Sequence, residues 1–451
     1  MNLSATSTTH HMLPPDDPQR AILHNEVHAR PSAMVRLPAL LIYVAVLNAG
    51  VTREQEWEHL RRLSGQDELP LDSLHGNFLH LRFEDYNIKW ERHTEFTCYS
   101  ILQALPDKAF LGATEPELMS ALTVSVDWLR GIPGRTVAAI QLAMVHGDLT
   151  DQRALMSQAQ TWFGGRAVVA SQMGQSIAQG QPMGHSWALT EFRIGADGFE
   201  RMLVIAPPGT SETRAGRISQ RLLELETYRL MALRSLPVAK NLGPMLADAE
   251  GVLAAITARL ENKSASDQDL LDILVSLAAR VERTTAEHIN RFSATRAYDT
   301  LMSQRITELR EKAIPGTQTI GEFMGRRLSP AMATVKATAQ RLTSLSERVT
   351  RTSALLRTRV DIAIEVQNQQ LLEKLTRGQE LQLRLQSTVE GLSIAAISYY
   401  VISLLLYCGK ALKAAGAPVN PEMAVGALVP FVIWAVWKTT RRIHAKLKGE
   451  H

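Results

Sequence analysis

The chain has 451 residues, of which 45% are hydrophobic and 21% are charged, and its formal net charge is only +4. This ordinary globular composition excludes wholesale disorder, collagen-like structure and small disulfide scaffolds, and the even charge balance argues against a nucleic-acid partner. The two cysteines, Cys98 and Cys408, lie far apart and form no CxxC pair, so the sequence predicts no disulfide framework and no metal or redox site of that type.

Residues 1–15 are polar and rich in Ser, Thr and His, with neither a basic start nor an apolar stretch. A secretory signal peptide needs both features, so this pattern predicts a disordered tail instead. We therefore expect residues 16–210, which follow the tail, to stay on the cytoplasmic side as a folded domain.

The densest polar cluster of the sequence is the motif HNEVHARP. On a helix His24 and His28 would share one face, as zinc ligands do, but Pro31 disfavours helix at the residue before it. Glu26 would lie on another face, so the His-Glu-x-x-His pattern of zinc proteases is absent, whereas Arg30 carries the planar fork that binds carboxylate or phosphate. We favour a structural interpretation, in which these side chains cap a helix and tie the N-terminal arm to a sheet.

Residues 16–210 alternate between strand and helix patterns, which predicts an α+β fold with a mixed α/β domain at the N-terminus. Residues 38–48 form an apolar run typical of a buried strand, and Thr52 follows as the N-cap of a helix. Residues 76–102 then alternate between apolar and polar positions, as two or three antiparallel strands do.

The same order of patterns begins again at residue 135, with a strand pattern followed by Thr150 as the expected cap of a second helix. The segment Val44–Thr52 (VAVLNAGVT) aligns with Leu142–Thr150 (LAMVHGDLT), so we expect two similar halves that share one sheet. A chance resemblance between two generic strand–cap–helix units is the alternative.

Residues 211–390 are predicted to form a long antiparallel helical hairpin, the stalk. The first arm is expected to break near Pro237 and around residues 262–266, and the pair Pro315-Gly316 ends it. In the second arm apolar residues recur at coiled-coil spacing, so this arm needs a partner for its apolar seam. The seam either packs on the first arm or pairs with another chain, and the sequence leaves both open.

The turn of this hairpin, at residues 315–329, is expected to be exposed. It carries Arg326 and Arg327 with Phe323 beside them, a set that would suit a docking site for a partner. A solvated turn without a partner is the simpler interpretation and the one we favour.

Residues 391–437 are predicted to form a transmembrane hairpin. Residues 391–409 carry no charge and approach the roughly 20 residues that cross a bilayer, and residues 423–437 form a second, shorter uncharged run. Trp434 and Trp437 lie where an interfacial aromatic belt is expected. A buried helical hairpin of a soluble protein is the alternative.

The residues after the second run predict the orientation of the hairpin. Lys438, Arg441 and Arg442 begin a basic tail over residues 438–451, which the positive-inside rule places in the cytoplasm. Two spans then leave the N-terminal region on the same side. Neither run contains Asp, Glu, Lys, Arg or His, one of which a proton relay or a path for a charged substrate usually needs.

Four segments of the chain resemble a known bacterial family: HNEVHARP at 24–31, LSPAMATVKA at 328–337, LLRTRVDIAIEVQNQQLL at 355–372 and LQLRLQSTVEGLSIAAISYY at 381–400. The family consists of uncharacterised membrane-anchored proteins catalogued as domain of unknown function 3422, and the likeness extends over about residues 16–445. The family has no assigned activity. The resemblance therefore implies this topology and a bacterial inner-membrane location, and it implies no reaction.

The layout is also similar, more loosely, to that of CorA-type magnesium channels, which combine an N-terminal α/β domain, a long helix, two C-terminal spans and a basic tail. Their Gly-Met-Asn signature after the first span is missing here, where the chain reads Tyr407-Cys408-Gly409-Lys410. Lys410 and Lys413 in the link would repel divalent cations rather than gather them.

The sequence contains no dinucleotide-binding, P-loop, serine-hydrolase or kinase motif, so it predicts no cofactor, no metal and no catalytic residue. We expect a non-enzymatic scaffold or regulatory protein that is anchored in the lipid bilayer, associates with itself through its stalk and membrane helices, and binds an unidentified protein partner. The alternatives are a CorA-like ion channel and an enzyme at the membrane surface that uses the residues from His24 to Arg30.

Overall fold

The computed structural model of the chain describes residues 17, 19–20, 34–63, 69–74, 76–105, 122–174, 176–178, 181–183, 185–262, 266–415 and 420–447. The described chain is α+β, with a mixed sheet towards the N-terminus, a long helical region and two apolar helices at the C-terminus. It divides into two compact units, Met1–Ala258 with Leu274–Thr350 and Arg259–Ile273 with Arg351–His451.

The first unit is built around a nine-stranded sheet. In chain order the strands are β1 (Ala39–Leu47), β2 (Phe78–Arg82), β3 (Tyr86–Arg92), β4 (Phe96–Ala104), β5 (Arg135–His146), β6 (Val169–Met173), β7 (Ser176–Ala178), β8 (Gln181–Met183), β9 (Ser186–Ile194), β10 (Glu200–Ala206) and β11 (Lys312–Ala313). The spatial order of the sheet is β11-β6-β9-β10-β5-β1-β4-β3-β2, and β7 and β8 form a separate two-stranded ribbon.

The sheet has the same strand order on both sides of its central pair, β1 and β5. Outward from β1 come β4, β3 and β2, and outward from β5 come β10, β9 and β6. The prediction that the two halves share one sheet is therefore confirmed. The strand directions differ, however, because β1 and β4 are antiparallel whereas β5 and β10 are parallel, so the halves are not copies of one topology.

Helices cover both faces of this sheet. The α-helices of the described chain are α1 (Arg53–Arg61), α2 (Val126–Arg130), α3 (Gln152–Trp162), α4 (Glu212–Leu233), α5 (Ser235–Asn262), α6 (Asp267–Leu309), α7 (Ile320–Arg327), α8 (Ser329–Ala414) and α9 (Pro421–Leu447). Side chains alternate along β1, so Leu40 and Ile42 join the core beneath α1, α2 and α3. Leu41 and Tyr43 join a second core with α4, α6 and α7.

Of the two predicted N-caps, the structure confirms one and contradicts the other. Thr52 begins α1 with a capping box, in which Thr52 and Gln55 each accept a hydrogen bond from the other's backbone N–H, as predicted for Thr52. The prediction of Thr150 as the second cap is wrong, because Asp151 caps the first turn of α3. The backbone N–H of Thr150 instead donates to the Asp148 carboxylate at 3.0 Å, which keeps Thr150 in the preceding turn.

The predicted breaks in the helical region are confirmed, since α4 ends at Leu233, ahead of Pro237, and α5 ends at Asn262. In the first unit, α5, α6 and the start of α8 then pack on each other. Arg280 of α6 contacts Asp248 of α5 at 2.6 Å, and Arg341 of α8 contacts Glu250 of α5 at 2.8 Å. The buried apolar side chains of this packing are Leu246, Ala249, Leu253, Leu277, Val281, Leu342, Leu345 and Val349. Over this part the seam of α8 closes within the chain.

The turn between α6 and α8 packs partly against the sheet and is not a free tip. β11 pairs with β6 at the edge of the sheet, and Ile314 is only 2% exposed. Glu311 fixes the turn, because its carboxylate accepts hydrogen bonds from the Ser171 hydroxyl (2.7 Å) and from the backbone N–H of Gly321 (2.8 Å). Within residues 315–329 the predicted exposure holds for Pro315, Gly316, Arg326 and Arg327, whereas Thr319, Ile320, Met324 and Leu328 are buried. Proline and glycine indicate where the helix stops, but the sheet edge that receives the turn is distant in sequence.

Candidate functional site

The predicted polar cluster of His24, Glu26, His28 and Arg30 lies outside the described residues. Its role, as a ligand site or as a structural arm, therefore stays a prediction. Within the described part of the chain, no group of three or more His, Cys, Asp or Glu side chains is arranged to hold a metal ion.

The predicted docking residues Phe323, Arg326 and Arg327 lie on α7, which Thr319 begins with a capping box. Phe323 is half-buried, and its ring stacks on that of Phe192 with centroids 4.7 Å apart and an angle of 8° between the planes. Arg326 and Arg327 are exposed in the last turn of the helix. Phe323 thus joins α7 to the sheet, and a docking role for the two arginines stays a prediction.

A buried group of charged side chains lies where β9, β10 and α4 meet. Glu226 of α4 is fully buried and pairs with Arg229, whose Nε donates to Glu226 Oε2 at 2.7 Å. Glu200 of β10 hydrogen-bonds to Glu226 and also accepts a hydrogen bond from the Thr190 hydroxyl at 3.1 Å. Burial, and then the charge of Glu226, raise the pKa of the Glu200 carboxyl far above its usual range, so Glu200 keeps its proton at neutral pH.

The backbone beside this acid pair is irregular. Between Thr190 and Ile194, β9 bulges away from its regular pairing with β10. Phe192 in the bulge has φ +49°, a conformation that residues with a Cβ rarely adopt. The Arg229 guanidinium lies 5.5 Å from the centroid of the Phe192 ring, so one arginine contacts both the acid pair and the strained residue.

The geometry indicates that this acid pair is structural. The cavity that adjoins it has a volume of only about 10 Å³, which leaves no room for a substrate. One sequence signal for the pair does exist, because Glu226 and Arg229 each lie one turn after a buried leucine, Leu222 and Leu225, on the apolar face of α4. A charged side chain at a core position needs a buried partner.

The thiol of Cys98 is also unsuited to catalysis. Its Sγ lies 2.9 Å from the Tyr43 hydroxyl, which lies 2.9 Å from the Thr227 hydroxyl, and all three groups are buried. Burial raises the pKa of the Cys98 thiol, so the thiolate needed for nucleophilic attack does not form at neutral pH.

In the second unit, the C-terminal part of α8 and the helix α9 as far as Arg442 are long and apolar enough to cross a membrane. The predicted interface residues form pairs along the end of α9. The Lys438 ammonium lies 4.5 Å from the centroid of the Trp434 ring, and the Arg441 guanidinium lies 4.6 Å from that of Trp437. Paired aromatic and basic side chains of this kind suit the boundary between lipid and water.

Between the packed and the apolar parts of α8, a long stretch of the helix has no partner among the described residues. Leu356 is fully buried, but every residue from Asp361 to Val389 is exposed. The stretch carries an apolar face at heptad spacing, which we call the exposed seam: Ile364, Leu371, Leu375, Leu385 and Val389. These five side chains are between 50% and 67% exposed.

A known family matches nearly the whole chain. Its model, described as "Protein of unknown function (DUF3422)", matches residues 15–447. The chain belongs to the DUF3422 family. The resemblance that four sequence segments indicated is thereby confirmed. No curated protein and no solved structure is similar to the chain.

The DUF3422 match includes the nine-stranded sheet, the long helices and both helices of membrane length. The family description assigns no activity. A function for this DUF3422 protein therefore rests on its own geometry, in which the exposed seam has no packing partner among the described residues and few residues of the apolar helices are buried.

Proposed function

We propose that this DUF3422 protein is a membrane-anchored scaffold or regulatory protein that pairs with a second copy of itself. The observation that carries the proposal is the exposed seam of α8. Its apolar face has no partner among the described residues, and it lies directly before an apolar run long enough to cross a membrane. An apolar helix face of this length is stabilised in water when another apolar surface packs against it.

The two apolar helices supply the anchor, in a bacterial inner membrane. Lys438, Arg441 and Arg442 favour a cytoplasmic C-terminus by the positive-inside rule. Two spans then bring the N-terminal domain to the same side of the membrane. The contacts of Lys438 and Arg441 with tryptophan rings support an interface at this end of α9.

A second copy of the chain fits the exposed seam. In a heptad frame Leu371 and Leu385 take d positions, and Leu375 and Val389 take a positions. Asn368 and Gln382 also fall at a positions, and Gly378 falls at a d position. Polar residues at a positions favour one register of a coiled coil, because each bonds to the same residue in the partner. Two copies anchored in one membrane have their α8 helices parallel and at the same level, which aligns Asn368 with its counterpart.

Disulfide cross-linking in native membranes tests this pairing. Cys408→Ser removes the exposed native thiol, and Cys98 is buried. Leu385→Cys then places a thiol on the exposed seam, whereas Ser387→Cys, two residues further on, places one about 160° away on the helix. We expect oxidation to link the Leu385→Cys variant into a dimer and to leave the Ser387→Cys variant monomeric. Equal cross-linking of both variants, or of neither, contradicts pairing through this face.

A further inference from the structure

A polar cavity of about 640 Å³ opens in the first unit, where the β3–β4 turn meets the start of α1 and the helices α4 and α6. Its lining includes Arg53 of α1, Arg92 and His93 at the turn, Tyr228 of α4 and Tyr298 of α6. The volume falls within the range of about 300–1,000 Å³ that is typical of pockets for small molecules. The proposed self-association makes no use of this cavity.

The charge of the lining favours an anion. Arg53 and Arg92 line the cavity together with the His93 ring, and no Asp or Glu is among the described lining residues. The neighbouring carboxylates Glu56 and Glu95 are paired with Arg92 and Arg291. By contrast, the groove over β2, β3 and β4 mixes basic with acidic side chains, among them Arg82 and Asp85. A concave surface with cations and no facing carboxylate concentrates anions.

The guanidinium group of Arg53 is held in place from behind. It donates hydrogen bonds to the backbone carbonyl of Leu74 and to Asn77 Oδ1, the latter at 2.5 Å. Asn77 itself has φ +56°, a left-handed conformation that Asn adopts more readily than other residues with a Cβ. Among the described residues Arg53 forms no ion pair, and the two hydrogen bonds use two of its five N–H donors. The remaining donors are available to a ligand.

Arg92 is fixed in a similar way. It donates to the backbone carbonyl of Val51 at 2.9 Å and pairs with the fully buried carboxylate of Glu56. Because Glu56 lies behind the guanidinium and balances its charge, Arg92 presents oriented N–H donors, while Arg53, which forms no ion pair among the described residues, supplies positive charge. The guanidinium groups of Arg53 and Arg92 are thus preorganised, which lowers the entropic cost of binding a ligand.

The other wall of the cavity is aromatic. The rings of Tyr228 and Tyr298 stack with centroids 6.0 Å apart, and the His93 ring stacks on Phe96 at 4.5 Å. Burial raises the pKa of the Tyr228 phenol, so its hydroxyl stays protonated and serves as a donor. Flat faces beside cationic forks suit a ligand that combines an anionic group with a planar body.

We propose that this cavity binds a small organic phosphate, with the phosphate group on Arg53 and Arg92 and the organic body against the aromatic wall. A phosphate fits better than a carboxylate, because a phosphate group offers more acceptor oxygens to the N–H donors of two guanidinium groups than a carboxylate does. The bidentate geometry of guanidinium with phosphate adds orientation as well as binding energy.

Calorimetric titration of the full-length protein in detergent tests the proposal with adenosine monophosphate as the probe. Adenosine lacks the phosphate and inorganic phosphate lacks the body, so the nucleotide is expected to bind more tightly than either. Arg53→Gln is expected to weaken binding of the nucleotide about tenfold, the loss of one charge-assisted contact. Arg61→Gln is the matched control, because it removes the same charge from the other end of α1 and lies outside the cavity lining.

Tyr228→Phe provides an independent variant on the opposite wall, should Arg53→Gln fail to fold, and is expected to weaken binding about threefold by loss of one neutral hydrogen bond. Nucleotide binding no tighter than that of adenosine would overturn the phosphate site. Equal affinity of Arg53→Gln and Arg61→Gln for the nucleotide would overturn the role of this cavity. Inorganic phosphate that binds as tightly as the nucleotide would overturn the role of the aromatic wall.

Discussion

His59 of α1 makes the folded state sensitive to mild acid. Its side chain is only 3% exposed, its ring stacks on Trp128 with centroids 4.3 Å apart, and it meets Tyr99 edge-on at 5.8 Å. Neither ring nitrogen has a hydrogen-bond partner among the described residues. Burial, and then the charge of Arg62, lower the pKa of His59 to about 4. We predict that His59→Phe removes a loss of stability that the wild type shows below neutral pH.

The sign and size of the effect follow from proton uptake. An unfolded histidine takes up a proton near pH 6.5, whereas folded His59 does so only at about pH 4. Stability that is present above pH 6.5 is therefore lost as the pH falls towards 4, because only the unfolded chain gains a proton in that interval. At pH 5 the difference of about 1.5 pH units corresponds to about 2 kcal/mol, and the full loss is about 3 kcal/mol.

Thermal unfolding followed by tryptophan fluorescence at pH 7.5 and pH 5.0 measures this loss, because Trp128 contacts His59 directly. Between the two pH values we expect the Tm of the wild type to fall by about 3 °C more than that of His59→Phe, because the unfolding entropy of a unit of this size is large. Phenylalanine keeps a flat ring against Trp128 and removes the two nitrogens. His146→Gln, which removes an exposed histidine at the end of β5, should behave like the wild type. An equal fall in Tm for the wild type and His59→Phe would refute the reasoning.

Two further predictions concern the acid pair and the membrane topology. Arg229→Met leaves the fully buried Glu226 without its cation and is expected to lower the free energy of unfolding by about 3–5 kcal/mol, measured by thermal unfolding. Adding Glu226→Leu should recover much of that loss. A double variant no more stable than the single one would contradict a paired charge. Because the basic tail favours the cytoplasm, a green fluorescent protein fused after His451 should fluoresce. Alkaline phosphatase fused at the same position should stay inactive, and an active phosphatase would contradict the proposed orientation.

Local patterns in the sequence predicted the local elements of the fold. The apolar run at residues 38–48 became β1, and Thr52 caps α1, because strand alternation and N-capping depend on residues a few positions apart. The breaks of the long helices followed in the same way. The error at Thr150 is equally local. Asp148 accepts from the backbone N–H of Thr150, and Asp151 accepts from that of Ala154, so the cap lies one residue later than predicted.

Features that depend on distant residues were not predictable from these patterns. Glu226 meets Glu200 only because α4 packs on β10, and Glu311 meets Ser171 only because β11 adds to the edge of the sheet. The parallel pairing of β5 with β10 is equally non-local, and it breaks the symmetry that the aligned segments suggested. The cavity at Arg53 combines one helix start, one strand turn and two distant tyrosines, so no motif in the sequence marks it.

The exposed seam and the membrane anchor depend on each other energetically. The five seam side chains are between 50% and 67% exposed, so covering them stabilises a pair of helices by about 10 kcal/mol, at about 1 kcal/mol for each side chain. Two free chains lose about 4–15 kcal/mol of translational and rotational freedom on association. These two amounts are similar, so the seam alone supports only weak pairing in solution. Anchoring both copies in one bilayer raises their effective concentration and fixes their orientation, which shifts the balance towards pairing. The cross-link through Leu385→Cys should therefore form efficiently in native membranes and decline when the same protein is diluted in detergent, whereas a seam strong enough to pair alone would give the same yield in both.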